Sequence, residues 1–217
     1  MGKLFSKELR LSASVLSYLF IFFAFMTMIP GYPILMGAFF VSFGIFHSFQ
    51  FGRESNDIMY SALLPVSKKD VVRGKFAFCV FIEMCGFAVM AALTVLRMTV
   101  FSRSAVYLSN ALMNANLVFL GFALLIFGCF NLVFTSGFFK TGYYFGKPFV
   151  KFIIAAFVIT AAGESLHHFP GFEALNAFGT EHLGLQLCCL AAGAVLYAVM
   201  TAAALKLSEK RFERIDL

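Results

Sequence analysis

Charged residues are scarce in this sequence and tryptophan is absent. Only 13% of its 217 residues are charged, whereas 61% are hydrophobic and the mean hydropathy is +0.88. Soluble domains carry charge on about a quarter of their residues. The composition therefore excludes a soluble globular protein and predicts an integral membrane protein. With no tryptophan available, the seven tyrosines are the aromatic residues suited to the membrane interfaces.

The positions of the five cysteines argue against disulfides. All five cysteines fall inside apolar runs: Cys79, Cys85, Cys129, Cys188 and Cys189. Free cysteine in such surroundings behaves as a small apolar residue. We therefore expect buried apolar thiols here rather than disulfides, metal ligands or catalytic nucleophiles.

The chain lacks the motifs of an enzyme. The segment nearest to a phosphate-binding loop has three residues between Gly142 and Gly146 instead of four, and Lys147 is followed by Pro148. No Ser-His-Asp arrangement and no HExxH motif is present. The sequence therefore predicts a chain that is not an enzyme and binds no cofactor of its own.

Six apolar runs predict an all-α membrane protein with six transmembrane helices, at about 11–29, 34–51, 76–96, 117–135, 149–163 and 183–205. The fifth run is short, because Glu164 arrives 13 residues after Lys151 and a perpendicular span needs about 20. Polar and aromatic residues alternate after it. We expect a broken, re-entrant or interfacial outer segment between spans five and six.

The basic residues indicate the orientation. Of the 17 lysines and arginines, 15 lie before the first span, in the loops after spans two and four, or in the tail 206–217. The exceptions are Arg97 and Arg103. This bias predicts cytoplasmic N and C termini. It also explains the net charge of +6 without a nucleic-acid partner.

Three polar residues fall within predicted spans. Glu83 lies several residues into the third span, and His47 and Asn131 lie at depths that allow either to bind it. An ionisable residue inside a membrane is costly unless it is paired, protonated or hydrated. Two roles are open for Glu83, a structural hydrogen bond between helices and a part in a transport path.

The outer segment carries a second polar group, which we interpret as an outer gate: Glu164, His167, His168 and Phe169. The histidine spacing matches no known metal-ligand pattern.

The longest polar interval in the first half of the chain, residues 52–75, predicts a cytoplasmic helix. Apolar positions recur at helical spacing from Glu54 to Leu64, as in an amphipathic helix lying at a membrane surface. Pro65 ends that helix, because the residue before a proline disfavours the α region. Ser67 is placed to cap a second helix that runs into the third span.

The order of residues in this interval resembles the loop after the second span of ABC-2 type permeases of Gram-positive bacteria. In that family an Asp, a Tyr, a Leu-Pro-Val-Ser run and a basic residue follow in order, here Asp57, Tyr60, Leu64, Pro65, Val66, Ser67 and Lys68. The ending RFERIDL is similar to the tails of the same family. The resemblance implies a small six-span permease subunit in a bacterial cytoplasmic membrane.

The resemblance also implies partners and a site. Two permease subunits, identical or homologous, would pair within the lipid bilayer, each with a cytosolic ABC ATPase that holds the ATP and Mg²⁺. The docking residues would be Asp57, Tyr60, Leu63, Leu64 and Lys68, with secondary contacts from Lys3, Lys7 and the tail 206–217.

Family members export antimicrobial or other amphipathic peptides, drugs and lipids. The phenylalanine-rich interior favours an apolar or amphipathic substrate. The alternative is a proton-coupled secondary transporter, or a non-transport membrane scaffold, that uses Glu83 and His47.

Overall fold

A computed structural model of the protein describes residues 2–57, 60, 61 and 65–215. Within these residues the chain is helical and contains no strand. The main helices are α1 (Gly2–Lys7), α2 (Val15–Leu19), α3 (Met36–Glu54), α4 (Lys68–Thr99), α5 (Ala105–Leu108), α6 (Leu117–Cys129), α7 (Gly146–Ser165) and α8 (Leu183–Glu213).

Four helical stretches of the described chain are long and apolar enough to cross a membrane: Lys68–Thr99, Leu117–Phe138, Gly146–His168 and Leu183–Glu213. A fifth is formed if Leu4–Ser12 and Val15–Met28, which are bent by 95°, count as one span. The predicted second span corresponds to α3, which is not among these candidates. Its polar end with His47, Gln50, Arg53 and Glu54 lowers its hydropathy. An all-helical membrane protein is therefore confirmed, while the number of six spans and the orientation stay predictions.

A serine cluster lies near the start of the first predicted span. Ser14 caps α2 by accepting a hydrogen bond from the Leu16 amide, and the Ser14 amide donates to Ser48 Oγ of α3 at 2.9 Å. Ser17 Oγ donates to the Gly44 carbonyl at 2.5 Å. These bonds lie at the bend between Leu4–Ser12 and Val15–Met28. The bounds of the first span, about 11–29, stay a prediction.

The part of the chain after the bend has an unusual geometry. After α2 the chain continues as a 3₁₀ helix, Phe20–Met28. Because a 3₁₀ helix rises about 2.0 Å per residue and an α-helix about 1.5 Å, these 14 residues reach about 25 Å. A segment this short therefore comes close to the thickness of a bilayer core, which is about 30 Å.

The centre of the fold is α6, which packs against α3, α4, α7 and α8. Its span is 72% buried inside the protein, and most of the largest buried side chains around it are phenylalanines. After Cys129 the helix widens into a π-helical stretch, Phe130–Thr135, before a last turn at Ser136–Phe138. This widening lies within the predicted span 117–135.

Two glycines bring the backbones of α6 and α8 into contact. A Cβ atom added at Gly193 would lie 2.5 Å from the Gly121 carbonyl oxygen, and one added at Gly121 would lie 2.7 Å from the Cys189 carbonyl oxygen. Close contact between small residues is how membrane helices pack without a hydrophobic driving force. The crossing therefore requires glycine on both helices.

The helices α4 and α8 extend beyond the predicted spans. Ser67 caps α4 as expected, since its side chain accepts from the Asp70 amide at 3.1 Å. At 32 residues, α4 is about 48 Å long and exceeds the hydrocarbon core. The protruding ends of the two helices are joined by ion pairs, Lys69 to Glu213 at 3.1 Å and Arg73 to Glu209 at 2.6 Å.

Candidate functional site

Four charged side chains meet where the N-terminal region, the 52–75 segment and the start of α4 come together. We call Lys7, Glu8, Asp57 and Lys75 the four-charge cluster. Lys75 Nζ lies 2.5 Å from Glu8 Oε2 and 3.7 Å from Asp57 Oδ2, and Lys7 Nζ lies 2.5 Å from Asp57 Oδ1 and 3.2 Å from Glu8 Oε1. Each lysine therefore contacts both carboxylates, and the group is electrically neutral.

The cluster is largely withdrawn from solvent. The side chains of Lys75 and Glu8 are 5% and 4% exposed, and that of Asp57 is 11% exposed. Lys7 Nζ also donates to Ser61 Oγ at 2.7 Å, and Lys75 Nζ lies 5.4 Å from the centre of the Phe49 ring. Burying charges is tolerated only when they are paired and hydrogen-bonded, so each member depends on the others.

The predicted docking residues have different environments. Tyr60 is 67% exposed, whereas Asp57 points into the four-charge cluster rather than outward, which differs from the docking face predicted for it. Lys68 Nζ donates to the Ile215 carbonyl at 2.5 Å and so joins α4 to the tail. Leu63, Leu64 and the side chain of Lys3 lie outside the described residues.

Sequence reasoning missed Glu8 and Lys75 as partners. Glu8 is the sole acidic residue of the first ten, and Lys75 is the last basic residue before the third apolar run. The available signals were an acidic residue within a basic N-terminal segment and a basic residue at the edge of a predicted span.

Glu83 is completely buried between α4, α6 and α8. Its Oε2 accepts hydrogen bonds from Asn131 Nδ2 at 3.0 Å and from the Tyr197 hydroxyl at 2.7 Å, while Oε1 has no hydrogen-bond partner among the described residues. Asn131 Nδ2 also donates to Thr201 Oγ1 at 3.1 Å. Of the two predicted partners, Asn131 binds Glu83, and Tyr197 and Thr201 were not foreseen.

His47 does not contact Glu83 by a hydrogen bond. Its ring packs beside three phenylalanine rings, with centroid separations of 4.6 Å to Phe43, 5.7 Å to Phe20 and 5.9 Å to Phe46. The described structure therefore contains no direct His47–Glu83 proton relay.

The π-helical stretch of α6 positions Asn131. A π-helical turn contains an extra residue and shifts the side chains that follow it. Asn131 lies in this stretch and reaches α4 through Glu83 and α8 through Thr201. We call Glu83, Asn131, Tyr197 and Thr201 the Glu83 node. These residues connect three long helices near the middle of the protein.

At the other end of the helices from the four-charge cluster, the Glu164 side chain forms hydrogen bonds with two loops. Its Oε2 accepts a hydrogen bond from the Met113 amide at 2.9 Å and its Oε1 accepts one from the Leu35 amide at 3.4 Å. Residue Glu164 is only 7% exposed. Glu164 therefore joins α7 to the loops before α3 and α6. From the sequence we interpret this residue as part of an outer gate.

Arg97 anchors the same side through backbone and aromatic contacts. It donates to the Thr27 carbonyl at 2.9 Å and to Asn114 Oδ1 at 2.8 Å, and its guanidinium carbon lies 3.9 Å from the Tyr107 ring centre. Asn116 caps α6 and donates to the carbonyls of Leu175 and Ala177. The loops on this side are therefore cross-linked by side chains.

The segment between α7 and α8 is broken, as predicted, into two 3₁₀ turns, Leu166–His168 and Glu173–Asn176. The rings of His167 and His168 lie 4.0 Å apart, His167 contacts the Ala111 carbonyl at 3.2 Å, and Phe169 is 57% exposed. The role of these residues as an outer gate stays a prediction.

Comparison with known proteins identifies the family. A family model described as ABC-2 family transporter protein matches residues 3–209. The chain belongs to the ABC-2 transporter family. No curated protein and no solved structure matches it.

The family match agrees with the resemblance found in the 57–68 segment and the tail. This ABC-2 protein is a multi-pass membrane permease of an ABC transporter, and the family implies association with an ABC ATPase. The four-charge cluster, the Glu83 node and the loops held by Glu164 all lie within the matched residues.

Proposed function

We propose that this chain is the transmembrane subunit of an ABC exporter, that a separate cytosolic ATPase docks on residues 52–75, and that its motion reaches the helices through the four-charge cluster. ATP and Mg²⁺ are held by the ATPase. The observation that carries the proposal is the contact of Asp57, the first of the docking residues, with Lys75, which lies at the other end of this segment and within the longest helix.

A displacement of the docking segment has a direct route into the helix bundle. Asp57 binds Lys7 and Lys75, so movement of the segment pulls on both the N-terminal region and α4. Glu83 follows Lys75 by eight residues on the same helix, or about 12 Å. There it binds Asn131 of the π-helical stretch after α6 and Tyr197 of α8.

Tyr60 and Asp57 have separate roles in this proposal. The exposed Tyr60 ring contacts the ATPase, together with Leu63 and Leu64, which the family resemblance adds. Asp57 holds the segment against the permease. Lys68 and the tail 206–217 form a secondary contact, because Lys68 already binds the tail at Ile215.

Two apolar surfaces support an amphipathic or apolar substrate and a dimeric assembly. A cleft of about 400 Å³ is lined by seven residues: Phe22, Phe23, Phe25, Met26, Ile29, Tyr32 and Phe40. The most apolar stretch of α8 is only 11% buried within one subunit, which leaves its outer face for lipid or a second permease copy. In this proposal the exporter moves a peptide, drug or lipid outward across the bacterial cytoplasmic membrane.

A second candidate is a proton-coupled transporter, because Glu83 Oε1 is buried and none of the described residues forms a hydrogen bond with it. A carboxyl group in that setting can carry a proton. The proton would have to move without the predicted help of His47, whose ring packs among phenylalanines.

Co-purification tests the ATPase partner. The detergent-solubilised permease is purified together with a co-expressed ABC ATPase from the same genome, using the parent, Tyr60→Ala and Tyr144→Ala. Both tyrosines are 67% exposed, so the second variant is a matched control. We expect a stoichiometric complex that Tyr60→Ala weakens and Tyr144→Ala retains. Failure of the parent to bind any ATPase, or equal binding by Tyr60→Ala, contradicts the docking proposal.

A further inference from the structure

A cleft with a cationic rim lies where the end of α6, the start of α7 and the end of α8 meet. It has a volume of about 870 Å³. Its lining includes four basic side chains, Lys140, Lys147, Lys151 and Arg211, and contains no acidic residue. A concave surface with this charge attracts an anion.

The positive charge of the cleft is not neutralised within the described chain. Lys140, Lys147 and Lys151 are exposed and form no ion pair with a described residue. The acidic residues Glu209 and Glu213 of α8 form ion pairs with Arg73 and Lys69 and not with the basic residues of the cleft.

Arg211 is held in place at the wall of the cleft. Its Nη1 donates to the Ser136 carbonyl at 2.7 Å and to Ser136 Oγ at 3.2 Å. Gly137 and Pro148 of the lining are in close contact, because a Cβ atom added at Gly137 would lie 2.8 Å from the Pro148 Cβ. Arg211 is thus held in place before a ligand binds.

The start of α7 adds to the positive potential. No described side chain caps this 20-residue helix, and its first residues, Gly146 and Lys147, line the cleft. Free backbone amides at a helix start favour phosphate groups.

An apolar strip leads from the cleft along α7. Lys147 and Lys151 share a helix face with Ile154 and Val158, which are 61% and 63% exposed. Leu132, Val133 and Leu207 line the cleft beside the basic groups. A ligand that matches both features has a phosphate group and a long hydrocarbon chain.

We propose that this cleft binds the phosphate headgroup of an acidic phospholipid, with Lys140, Lys147, Lys151 and Arg211 contacting the phosphate and an acyl chain lying along Ile154 and Val158. On the predicted orientation the lipid belongs to the cytoplasmic leaflet. Basic pockets between membrane helices on that side suit acidic lipid headgroups.

Native mass spectrometry of the full chain in detergent tests the proposal. The protein is mixed with phosphatidylglycerol or with phosphatidylcholine of the same acyl chains. The cleft variant carries Lys140→Gln, Lys147→Gln and Lys151→Gln. The matched control carries Lys206→Gln, Lys210→Gln and Arg214→Gln, which remove the same charge from exposed positions outside the cleft lining. Arg211 is left unchanged because it also joins α8 to α6.

We expect the parent and the control to retain phosphatidylglycerol in preference to phosphatidylcholine. We expect the cleft variant to bind phosphatidylglycerol at least about tenfold more weakly, since each basic group near an acidic lipid contributes to the free energy of binding. Equal retention of the two lipids by the parent, or equal loss in the control, overturns the proposal. So does full displacement of the lipid by inorganic phosphate, which would identify a site for the free anion. Unchanged melting temperatures of both variants exclude unfolding as the cause.

Discussion

Lys75 Nζ lies 2.5 Å from Glu8 Oε2, and both side chains are at most 5% exposed. The two residues are 67 positions apart in sequence. Their contact joins the amino-terminal helical region to the start of the longest helix, and Lys7 and Asp57 complete the charge balance around them. A pair in this setting is sensitive to the loss of either partner, because the cluster would then hold a buried charge that is no longer balanced.

Lys75→Met should therefore lower the free energy of unfolding by about 3–5 kcal/mol, the range for breaking a buried ion pair. The measurement is chemical or thermal unfolding in detergent. Lys69→Met is the control, because Lys69 pairs with Glu213 at the surface and such pairs contribute at most about 1 kcal/mol. The double variant Glu8→Gln with Lys75→Met should lose less stability than the sum of the single variants. An additive double variant would contradict the coupling.

Gly193→Ala should destabilise the protein by about 1–3 kcal/mol, as expected when a methyl group is forced into a packed contact. The added Cβ would lie 2.5 Å from the Gly121 carbonyl oxygen. Gly184→Ala on the same helix is the control, since nothing lies within 4 Å of its added Cβ. The control should keep or raise stability, because alanine favours a helix over glycine by about 1 kcal/mol. Equal unfolding curves for the two variants would rule out the close backbone crossing.

The local features of this fold could be predicted from the sequence. The apolar runs marked the long helices α4, α6, α7 and α8, and Ser67 with Asp70 marked the cap of α4. These features depend on neighbouring residues, whose spacing is visible in the sequence. The bend before Val15 depends instead on Ser14 contacting Ser48 of another helix, so it could not be derived from local spacing.

The partners within the polar sites were harder to predict. Counting residues along a span gives the depth of a side chain but not the direction in which it points around the helix. His47 and Asn131 had comparable predicted depths, yet only Asn131 faces Glu83. The inward direction of the Asp57 side chain could not be predicted for the same reason. It depends on the contacts of Asp57 with Lys7 and Lys75.

Glu83→Gln should leave folding and ATP-driven export largely intact. Glutamine keeps an oxygen that can accept from Asn131 and Tyr197, while it removes the titratable proton. The measurement is substrate export from cells or vesicles that contain the permease and its ATPase, with an imposed proton gradient in a second arm. Tyr197→Phe, which removes one donor, should cost about 1 kcal/mol of stability. Loss of transport by a folded Glu83→Gln protein, in parallel with loss of proton uptake, would instead favour the proton-coupled mechanism.

Glu164→Ala should loosen the loops before α3 and α6 without affecting the docking segment. The Met113 and Leu35 amides would lose their acceptor, and a buried unpaired donor costs about 1–3 kcal/mol. Hydrogen exchange is the direct measurement, and the Met113 amide should exchange faster in the variant. Glu181→Ala is the control, because this exposed residue contributes only its backbone carbonyl to Gln186 and should change stability by at most about 0.5 kcal/mol. If Met113 stays protected in Glu164→Ala, another group satisfies its amide. Glu164 would then not be the residue that joins these loops to α7. Its predicted role as part of an outer gate would become the hypothesis to test, by measuring transport.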